Sequence, residues 1–299
     1  MDRPYILHMF TPARHMSPFD INMALDAGYD VAVPYTDVGM DEIRALTQDA
    51  IFSRGPKGAA RTALFIGGRD AIMAADMLDA ARKSMFPPFQ VSILADPSGA
   101  YTTAAALVAS VERGLDKTHK TDYAGKRVLI LGGTGPVGRI ASVLLAKAGT
   151  DVRIASHRGM ATAQQAADET SRRFGCTVHA ADTASVDALH NELAKVQVVM
   201  ATAAAGVQVM SVQDRAHAAD LLVAADVNAV PPAGIEGVDA MDDGKSLDGG
   251  RAVGIGALAV GNIKYQVEQR LLTQMRNATA PVYLAFDEAF ATARAVTGE

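Results

Sequence analysis

The feature that most constrains this chain is a glycine-rich turn between an apolar strand and a helix. Residues 127–131 are predicted to form a strand whose last four residues are apolar, and the sequence Gly-Gly-Thr-Gly-Pro-Val-Gly follows at 132–138. A G-x-G-x-x-G spacing provides a tight turn, close backbone approach to a pyrophosphate, and N–H groups at the start of the next helix. The alternative is a glycine-rich turn that only packs. The pattern predicts a dinucleotide site formed by Gly133, Thr134, Gly135, Pro136, Val137 and Gly138.

The end of the next predicted strand bears on the choice of dinucleotide. Sites specific for NAD usually carry an acidic residue about 20 residues after the glycines, where it binds the ribose 2′-hydroxyl. This chain has Ser156, His157 and Arg158 there instead. A hydroxyl and a guanidinium suit a 2′-phosphate, because arginine can bind phosphate oxygens through two parallel hydrogen bonds. NADP is therefore predicted and NAD left open, the alternative being that Arg158 is only a solvated loop cation.

Two further strand ends are predicted to reach the cofactor, because ligands of open α/β sheets bind at the carboxyl ends of strands. Small residues follow one of these strands and would let a ribose or a nicotinamide approach: Ala201, Thr202 and Ala203. Asp226 and Asn228 follow the other strand, and the side-chain amide of Asn228 is suited to a carboxamide. These two side chains could equally fix their own turn.

Apolar runs of strand length alternate with helical patterns along much of the chain. Such alternation predicts βαβ units, a mostly parallel sheet and the α/β fold class. The polar stretch 116–126 is predicted to be a linker. We expect a Rossmann-type NADP-binding domain at 119–261 and a discontinuous substrate domain made of 1–118 plus 262–299. Strands are predicted at 63–67, 90–95, 127–131, 152–155, 177–180, 196–201, 221–226 and 252–256.

Composition and charge exclude several classes of function. The 299 residues carry a formal net charge of −5, and mild acidity argues against a nucleic-acid partner, which needs a concentrated basic face. The single cysteine, Cys176, cannot form an internal disulfide, and its isolation argues against a cysteine-based zinc site. No apolar run approaches the roughly 18 residues of a membrane span. We therefore expect a cytoplasmic protein with no metal site, no nucleic-acid partner and no membrane contact.

No conventional catalytic constellation appears in the sequence, and the seven histidines are scattered singly. The stretch that begins at Asp96 stands out, because a strand end and a glycine turn lead there to paired threonines at a helix start. Thr102 or Thr103 could cap that helix or present a hydroxyl to a ligand. Lys264 follows the small-residue run 254–261 and could lie near the same ligand.

These segments, together with the glycine turn, resemble the NADP-dependent methylene-tetrahydromethanopterin dehydrogenases of methylotrophic bacteria. The resemblance implies two α/β domains around a cleft and a homo-oligomer, expected to be a trimer. It also implies hydride transfer from methylene-tetrahydromethanopterin to NADP⁺ in one-carbon oxidation; some members of the family also accept NAD⁺ or methylene-tetrahydrofolate. The resemblance covers most of the chain, through residues 17–20, 53–55, 66–68, 98–99, 102–106, 133–138, 225–226, 228, 231–232, 256–258 and 264.

The resemblance further implies which residues meet the pterin. Lys264 and Thr102 are the expected catalytic residues. Hydride leaves a carbon whose two bonded nitrogens stabilise the product cation, so no proton has to be abstracted and positioning dominates the chemistry. Lys264 is therefore expected to orient pterin oxygen atoms rather than to act as a base. The expected substrate-binding residues are Pro18, Phe19, Asp20, Ser98, Gly99, Tyr101 and Thr103.

Two other functions stay open at this point. A shikimate-dehydrogenase-like enzyme would need a Lys–Asp pair in the first domain, for which Lys57 and Asp96 are available. A non-catalytic NADP-binding sensor would need no second ligand site. The cyclohydrolase activity of the related tetrahydrofolate enzymes is not expected, because their Tyr-x-x-x-Lys spacing is missing.

Overall fold

The computed structural model describes residues 3–299 and divides the chain into two compact units. The first unit comprises the chain up to Thr102 together with Tyr265–Thr292, and the second comprises Thr103–Lys264 and Ala293–Glu299. These bounds differ from the predicted domain boundaries after residues 118 and 261. The reason is that each predicted boundary lies within a long helix: the boundary after 118 within α5, which ends at His119, and the boundary after 261 within α10, which begins at Ala257.

The sheet of the first unit has five parallel strands: β1 (Ile6–Phe10), β2 (Val31–Tyr35), β3 (Thr62–Ile66), β4 (Ser92–Ala95) and β12 (Tyr283–Leu284). Their order across the sheet is β2-β1-β3-β4-β12. Every residue of β3 and β4 is buried, as expected for central strands of a parallel sheet. The chain places β2 on one side of β1 and β3 on the other. The carboxyl ends of β1 and β3 therefore form a topological switch point, where ligands of such sheets bind.

Two helices of the first unit begin at a residue whose side chain caps them. Ser17 caps the first helix, where its Oγ accepts the N–H of Asp20 at 3.4 Å and Pro18 occupies the first turn. Asp70 caps a later helix by accepting the N–H of Met73 at 2.8 Å. The capped helices are α1 (Pro18–Asp26) and α4 (Ala71–Lys83); α2 (Ile43–Phe52) and α3 (Gly55–Ala59) have no side-chain cap within the described chain.

The sheet of the second unit has seven strands in the order β7-β6-β5-β8-β9-β11-β10. All neighbours are parallel except β10 and β11. The six strands other than the antiparallel β10, numbered 1 to 6 in chain order, lie in the Rossmann order 3-2-1-4-5-6. The switch point lies between β5 and β8. The predicted α/β class and Rossmann-type domain with a parallel sheet are confirmed. The strands are β5 (Arg127–Leu131), β6 (Asp151–Ala155), β7 (His179–Ala181), β8 (Val198–Ala201), β9 (Val223–Asp226), β10 (Asp243–Ser246) and β11 (Val253–Ile255).

The remaining helices connect these strands or belong partly to both units. The helix after β6 ends at Phe174 because Gly175 takes a left-handed conformation with a φ of +65°. Within residues 3–299, no helix combines the length and apolar character needed to span a bilayer. The helices are α5 (Ala100–His119), α6 (Pro136–Lys147), α7 (Met160–Phe174), α8 (Val186–Leu193), α9 (Val212–Arg215), α10 (Ala257–Asn277) and α11 (Phe286–Gly298).

Candidate functional site

The glycine-rich turn follows β5 and lies at the switch point between β5 and β8. Gly132 has a φ of +72°, and a Cβ at this position would lie 2.6 Å from the backbone N and Cα of Ala203. A Cβ at Gly133 would lie 2.7 Å from the Cβ of Ile154. Both distances are far below van der Waals contact. Only glycines therefore let the turn pass between the ends of β6 and β8.

The other two glycines of the pattern differ in their surroundings. A Cβ at Gly138 would lie 2.5 Å from the Cα of Gly133 and 2.7 Å from the Oγ1 of Thr202, so the fold itself requires this glycine. At Gly135 the nearest atom to such a Cβ is the carbonyl oxygen of Gly132, at 3.7 Å. The turn is thus closed by protein at Gly138 and open at Gly135. The opening leaves room for a ligand at the start of α6.

Helix α6 begins at Pro136 and has Gly135 as its N-cap residue. No side chain from residues 3–299 caps this helix, so the N–H groups of its first turn, which includes Val137, lack a side-chain acceptor. Pro136 occupies a position where an N–H has no helical partner in any case. This arrangement fits a phosphate group at the helix start, where N–H groups and the helix dipole favour negative charge.

Arg139 supports the turn from the side of the helix. Its Nε donates to the carbonyl oxygen of Thr134 at 3.0 Å, while Nη1 and Nη2 donate to Thr170 and Glu169 of α7 at 3.3 and 3.0 Å. Hydrogen bonds from Gln165 and Arg139 hold the pKa of the Glu169 carboxyl below its ordinary value. The side chain therefore joins the glycine turn to the helix that follows β6. Sequence reasoning missed this role, although Arg139 comes directly after the glycine pattern.

Ser156, His157 and Arg158 form the loop between β6 and α7. Ser156 is buried, and its Oγ accepts the N–H of Arg158 at 3.1 Å, which closes a tight turn. The side chains of His157 and Arg158 are exposed. Within residues 3–299 the Arg158 guanidinium makes no hydrogen bond and no ion pair. It is therefore available to an anionic group of a ligand.

The residues after β8 pack against the glycine turn. Ala201 ends the strand, and the N–H of Thr202 donates to the carbonyl oxygen of Leu131 at 2.8 Å. Ala203 is the residue whose backbone approaches Gly132 most closely. The predicted small residues at this strand end are thus the ones that bring the two chain segments of the switch point together.

Asp226 and Asn228 hold the turn that follows β9. The Asp226 carboxylate accepts the N–H groups of Asn228 and Ile235 at 2.9 and 3.0 Å, and burial raises its pKa despite these bonds. The Asn228 side chain accepts the N–H of Gly206 at 3.1 Å and donates to the carbonyl oxygen of Pro232 at 2.8 Å. These bonds support the alternative in which both side chains fix their own turn. A cofactor contact by either residue stays a prediction.

A cavity of about 240 Å³ lies at the carboxyl edge of the first sheet, at the switch point between β1 and β3. Thr11 directly follows β1, Gly68 comes shortly after β3, and Ser98 comes shortly after β4. Pro18 and Asp20 contribute from the start of α1. Three of the predicted substrate residues, Pro18, Asp20 and Ser98, therefore line one cavity.

Gly99, Tyr101 and Thr102 are not among the described residues that line this cavity. Tyr101 is fully buried, and its hydroxyl donates to the carbonyl oxygen of Ala71 at 2.6 Å. Thr102 is also buried, and its Oγ1 donates to the Oδ2 of Asp96 at 2.6 Å. The structure uses both hydroxyls within the fold, which differs from the direct ligand contact expected for them.

Three other residues predicted for the pterin site lie on helices and are not among the described residues that line the cavity. Phe19 follows Pro18 on α1 and is 45% exposed. Thr103 lies on α5 and Lys264 on α10. Both side chains are half-buried, and both residues belong to the second unit. Their roles at a pterin site stay predictions.

Sequence reasoning missed several residues that line the cavity. Thr11 could have been found from the rule that ligands bind at strand ends, had β1 been assigned. His15 and Arg69 are exposed basic side chains that line the cavity, and neither forms an ion pair within residues 3–299. Across the same residues, no group of three or more His, Cys, Asp or Glu side chains is placed to hold a metal ion.

Two family models match the sequence. The model described as methylene-tetrahydromethanopterin dehydrogenase, N-terminal, matches residues 18–98. This segment contains half of the residues that line the cavity, among them Pro18, Asp20 and Ser98. The model of the NAD dependent epimerase/dehydratase family matches residues 128–230, which contain the glycine turn.

Relatives match along nearly the whole chain. The sequence is 44% identical over 293 residues to the NAD(P)-dependent methylenetetrahydromethanopterin dehydrogenase of Methylorubrum extorquens, covering 98% of this chain and 99% of that protein. It is 34% identical over 279 residues to bifunctional protein MdtA of the same organism, covering 93% and 94%. Among solved structures, it is similar to 5-ketofructose reductase of a Gluconobacter species, with a TM-score of 0.52, 17% identity, and 98% and 99% coverage. The last likeness shows a shared fold.

Proposed function

Because this chain belongs to the methylene-tetrahydromethanopterin dehydrogenase family, we propose that it transfers a hydride from methylene-tetrahydromethanopterin to NADP⁺ and so forms the methenyl carrier in one-carbon oxidation. The observation that carries this proposal is the cavity at the β1/β3 switch point, lined by Pro18, Asp20 and Ser98. These are residues through which the sequence resembles the family. They also lie within the segment that the dehydrogenase model matches.

The dinucleotide is proposed to bind at residues 133–138, with its pyrophosphate at the start of α6. The opening at Gly135 and the absence of a side-chain cap support this placement. Arg158 is proposed to bind the 2′-phosphate, and its exposed, unpaired guanidinium in the described chain supports that role. When bound, NADP⁺ supplies the nicotinamide carbon that accepts the hydride. NAD⁺ is proposed as a second acceptor, since no group at Ser156 rejects a free 2′-hydroxyl.

The substrate chemistry explains why the sequence shows no acid–base pair. The carbon that loses hydride is bonded to two nitrogens, whose lone pairs stabilise the product cation, so no residue has to remove a proton. The chain's task is then to hold that carbon in place and to exclude water. Lys264 is proposed to orient pterin oxygen atoms, because a cation close to the reacting carbon would disfavour a cationic product. Phe19 and Thr103 are proposed to contact the pterin.

The wider organisation is also proposed. We assign the dinucleotide to the second unit and the pterin to the cavity of the first; Thr103 and Lys264 are residues of the second unit that directly adjoin the first along α5 and α10. A homo-oligomer, specifically a trimer, is proposed from the family resemblance, and sedimentation equilibrium would then give three times the chain mass of 31.3 kDa.

A cytoplasmic location is proposed because the chain has a single cysteine and no possible internal disulfide. Methylene-tetrahydrofolate is proposed as a second carrier substrate.

The shikimate-dehydrogenase-like alternative loses support from the geometry of the first sheet. Lys57 lies on α3, just before β3 begins, whereas Asp96 follows the end of β4. Since β3 and β4 run parallel, these residues lie at opposite edges of the sheet, about 15 Å apart for strands of this length. The Asp96 carboxylate is also already bonded to Thr102. A catalytic Lys–Asp pair is therefore not formed.

An assay of NADP⁺ reduction, followed by absorbance, tests the proposal with three separate substrates. We expect turnover with methylene-tetrahydromethanopterin, slower turnover with methylene-tetrahydrofolate, and none with shikimate. Absence of turnover with both one-carbon carriers would contradict the proposal. In that case turnover with shikimate would favour the alternative enzyme, and NADP⁺ binding without any turnover would favour a sensor.

A further inference from the structure

We infer that Asp96 is a positioning residue for the pterin cavity, whose wall it holds in place through Thr102, Tyr101 and Ser98. The inference rests on the proposed function, because it takes the cavity to be the pterin site. Asp96 is not among the described residues that line the cavity. Its effect on substrate binding is therefore exerted through its neighbours.

The carboxylate of Asp96 is fully buried and faces the start of α5. Its Oδ1 accepts the N–H of Tyr101 at 2.8 Å and the N–H of Thr102 at 3.2 Å. Its Oδ2 accepts the hydroxyl of Thr102 at 2.6 Å. A carboxylate in this position is stabilised by first-turn N–H groups and by the helix dipole. Asp96 therefore fixes both the start of α5 and the orientation of Thr102.

The backbone between Asp96 and α5 has a conformation that needs such support. Ser98 and Gly99 have φ values of 52° and 69°, so two consecutive residues are left-handed. This conformation is unfavourable for a residue with a Cβ, such as Ser98, and it persists only where the surrounding structure imposes it. Asp96 is bonded on both sides of the turn: its N–H donates to the carbonyl oxygen of Ile66 at 3.0 Å, and its carbonyl oxygen accepts the N–H of Gly99 at 3.4 Å.

Two more hydrogen bonds join this turn to the neighbouring loop of the cavity wall. The Oγ of Ser98 donates to the carbonyl oxygen of Gly68 at 2.7 Å. The hydroxyl of Tyr101 donates to the carbonyl oxygen of Ala71 at 2.6 Å. Arg69 lies between these two acceptors in the sequence and lines the cavity. Loss of the carboxylate should therefore displace Ser98 and Arg69 together.

Kinetics of three variants test this inference. We expect Asp96→Ala to raise the KM for methylene-tetrahydromethanopterin about tenfold or more, because small displacements at a binding wall are costly. The KM for NADP⁺ should change by less than about twofold. Thr102→Val removes only the hydroxyl and should raise the pterin KM less. Thr102→Ser restores a hydroxyl and should lower the pterin KM again relative to Thr102→Val.

Asp214 provides a matched control in the second unit. It is also a carboxylate at a helix start, where it accepts both the N–H and the hydroxyl of Ser211 at 2.9 and 2.7 Å. We expect Asp214→Ala and Asp96→Ala each to lower the thermal stability, because each removes a carboxylate that bonds to a helix start. Asp214→Ala should not raise the pterin KM, because Ser211 and His190, whose groups bond to the Asp214 carboxylate, do not line the cavity.

The outcomes separate positioning from general destabilisation. Equal increases in both KM values, or a pterin KM that Thr102→Val leaves unchanged, would overturn the inference. Should Asp96→Ala fail to fold, the Thr102 pair and the isosteric Asp96→Asn carry the test, with pterin binding measured at equilibrium. A wild-type protein that binds the pterin but does not oxidise it would contradict the proposed function instead. The binding measurements would then still decide the role of Asp96.

Discussion

Arg158 presents a positive charge that no residue of the described chain neutralises. We expect Arg158→Gln to lower kcat/KM for NADP⁺ by about tenfold or more, since hydrogen bonds between charged groups contribute about 1.5–3 kcal/mol. The value for NAD⁺ should hardly change, because NAD⁺ has no 2′-phosphate. Steady-state kinetics with each nucleotide measure this difference. Arg172→Gln on α7 is the control, because Arg172 is likewise exposed. An equal loss of kcat/KM with both nucleotides in Arg158→Gln would contradict the role of Arg158.

Arg139 has the opposite surroundings, because its guanidinium is bonded to the glycine turn and to α7. Arg139→Met keeps much of the side-chain volume and removes every donor. We expect it to raise the KM for NADP⁺ about tenfold without changing the KM for the pterin, since the carbonyl of Thr134 loses its support. Nucleotide titration and kinetics measure both constants. A loss of stability with normal nucleotide binding would show that Arg139 serves only the fold.

At the scale of elements, the glycine turn makes two different predictions. Gly138→Ala should lower the stability of the second unit by about 1–3 kcal/mol, because its Cβ would overlap the backbone of Gly133. Gly135→Ala should leave the stability nearly unchanged, since no atom outside Gly135 and its two chain neighbours lies closer than 3.7 Å to the new Cβ. It should nevertheless weaken NADP⁺ binding, because the methyl group enters the space assigned to the pyrophosphate. Denaturant unfolding and nucleotide titration separate the two effects, and a stable Gly135→Ala variant with normal NADP⁺ binding would place the dinucleotide elsewhere.

The elements that sequence patterns predict best are the buried strands of the parallel sheets. The strand predicted at 127–131 matches β5, in which residues 128–131 form an uninterrupted, buried apolar run. The strand predicted at 152–155 lies within β6, although the half-buried Arg153 interrupts its apolar residues. Polar elements are harder to predict. Helix α5 continues to His119 into the predicted linker, and β10 consists of Asp, Gly, Lys and Ser. Pairing with β11 creates this strand, and no local apolar signal marks it.

The glycine turn and the cavity of the first unit also differ in how well sequence patterns predict them. The glycine turn is predictable because close backbone packing requires residues without a Cβ at fixed spacing. The cavity of the first unit brings together Thr11, Asp20, Arg69 and Ser98 from four separate segments. No local spacing links them, and only the strand order does. The motifs from the family resemblance identify Asp20 and Ser98, but Thr11 and Arg69 become visible only once the sheet is assembled.

At the scale of the whole molecule, each sheet has its own switch point, and we assign one ligand to each of them. Saturating NADP⁺ should therefore stabilise the second unit by about 2.7 kcal/mol at 100 times Kd. Differential scanning calorimetry should show this as an increase in the Tm of that unit's transition. NAD⁺ at the same concentration should give a smaller increase, and shikimate should give none. No change with millimolar NADP⁺ would contradict the assignment of the dinucleotide to this unit.

The short edge strand β12 has a consequence for how the protein is made. It pairs Tyr283 and Leu284 with Ile93 and Leu94 of β4, so the first sheet includes two segments separated by nearly the whole second unit. On the ribosome, the segment Thr103–Lys264 can leave the exit tunnel and fold while the first sheet still lacks its last strand. Until β12 arrives, the apolar edge of β4 stays open to pairing with other chains. The part of the protein that is translated first is thus completed late, and during synthesis its sheet has an apolar edge with which other chains can pair.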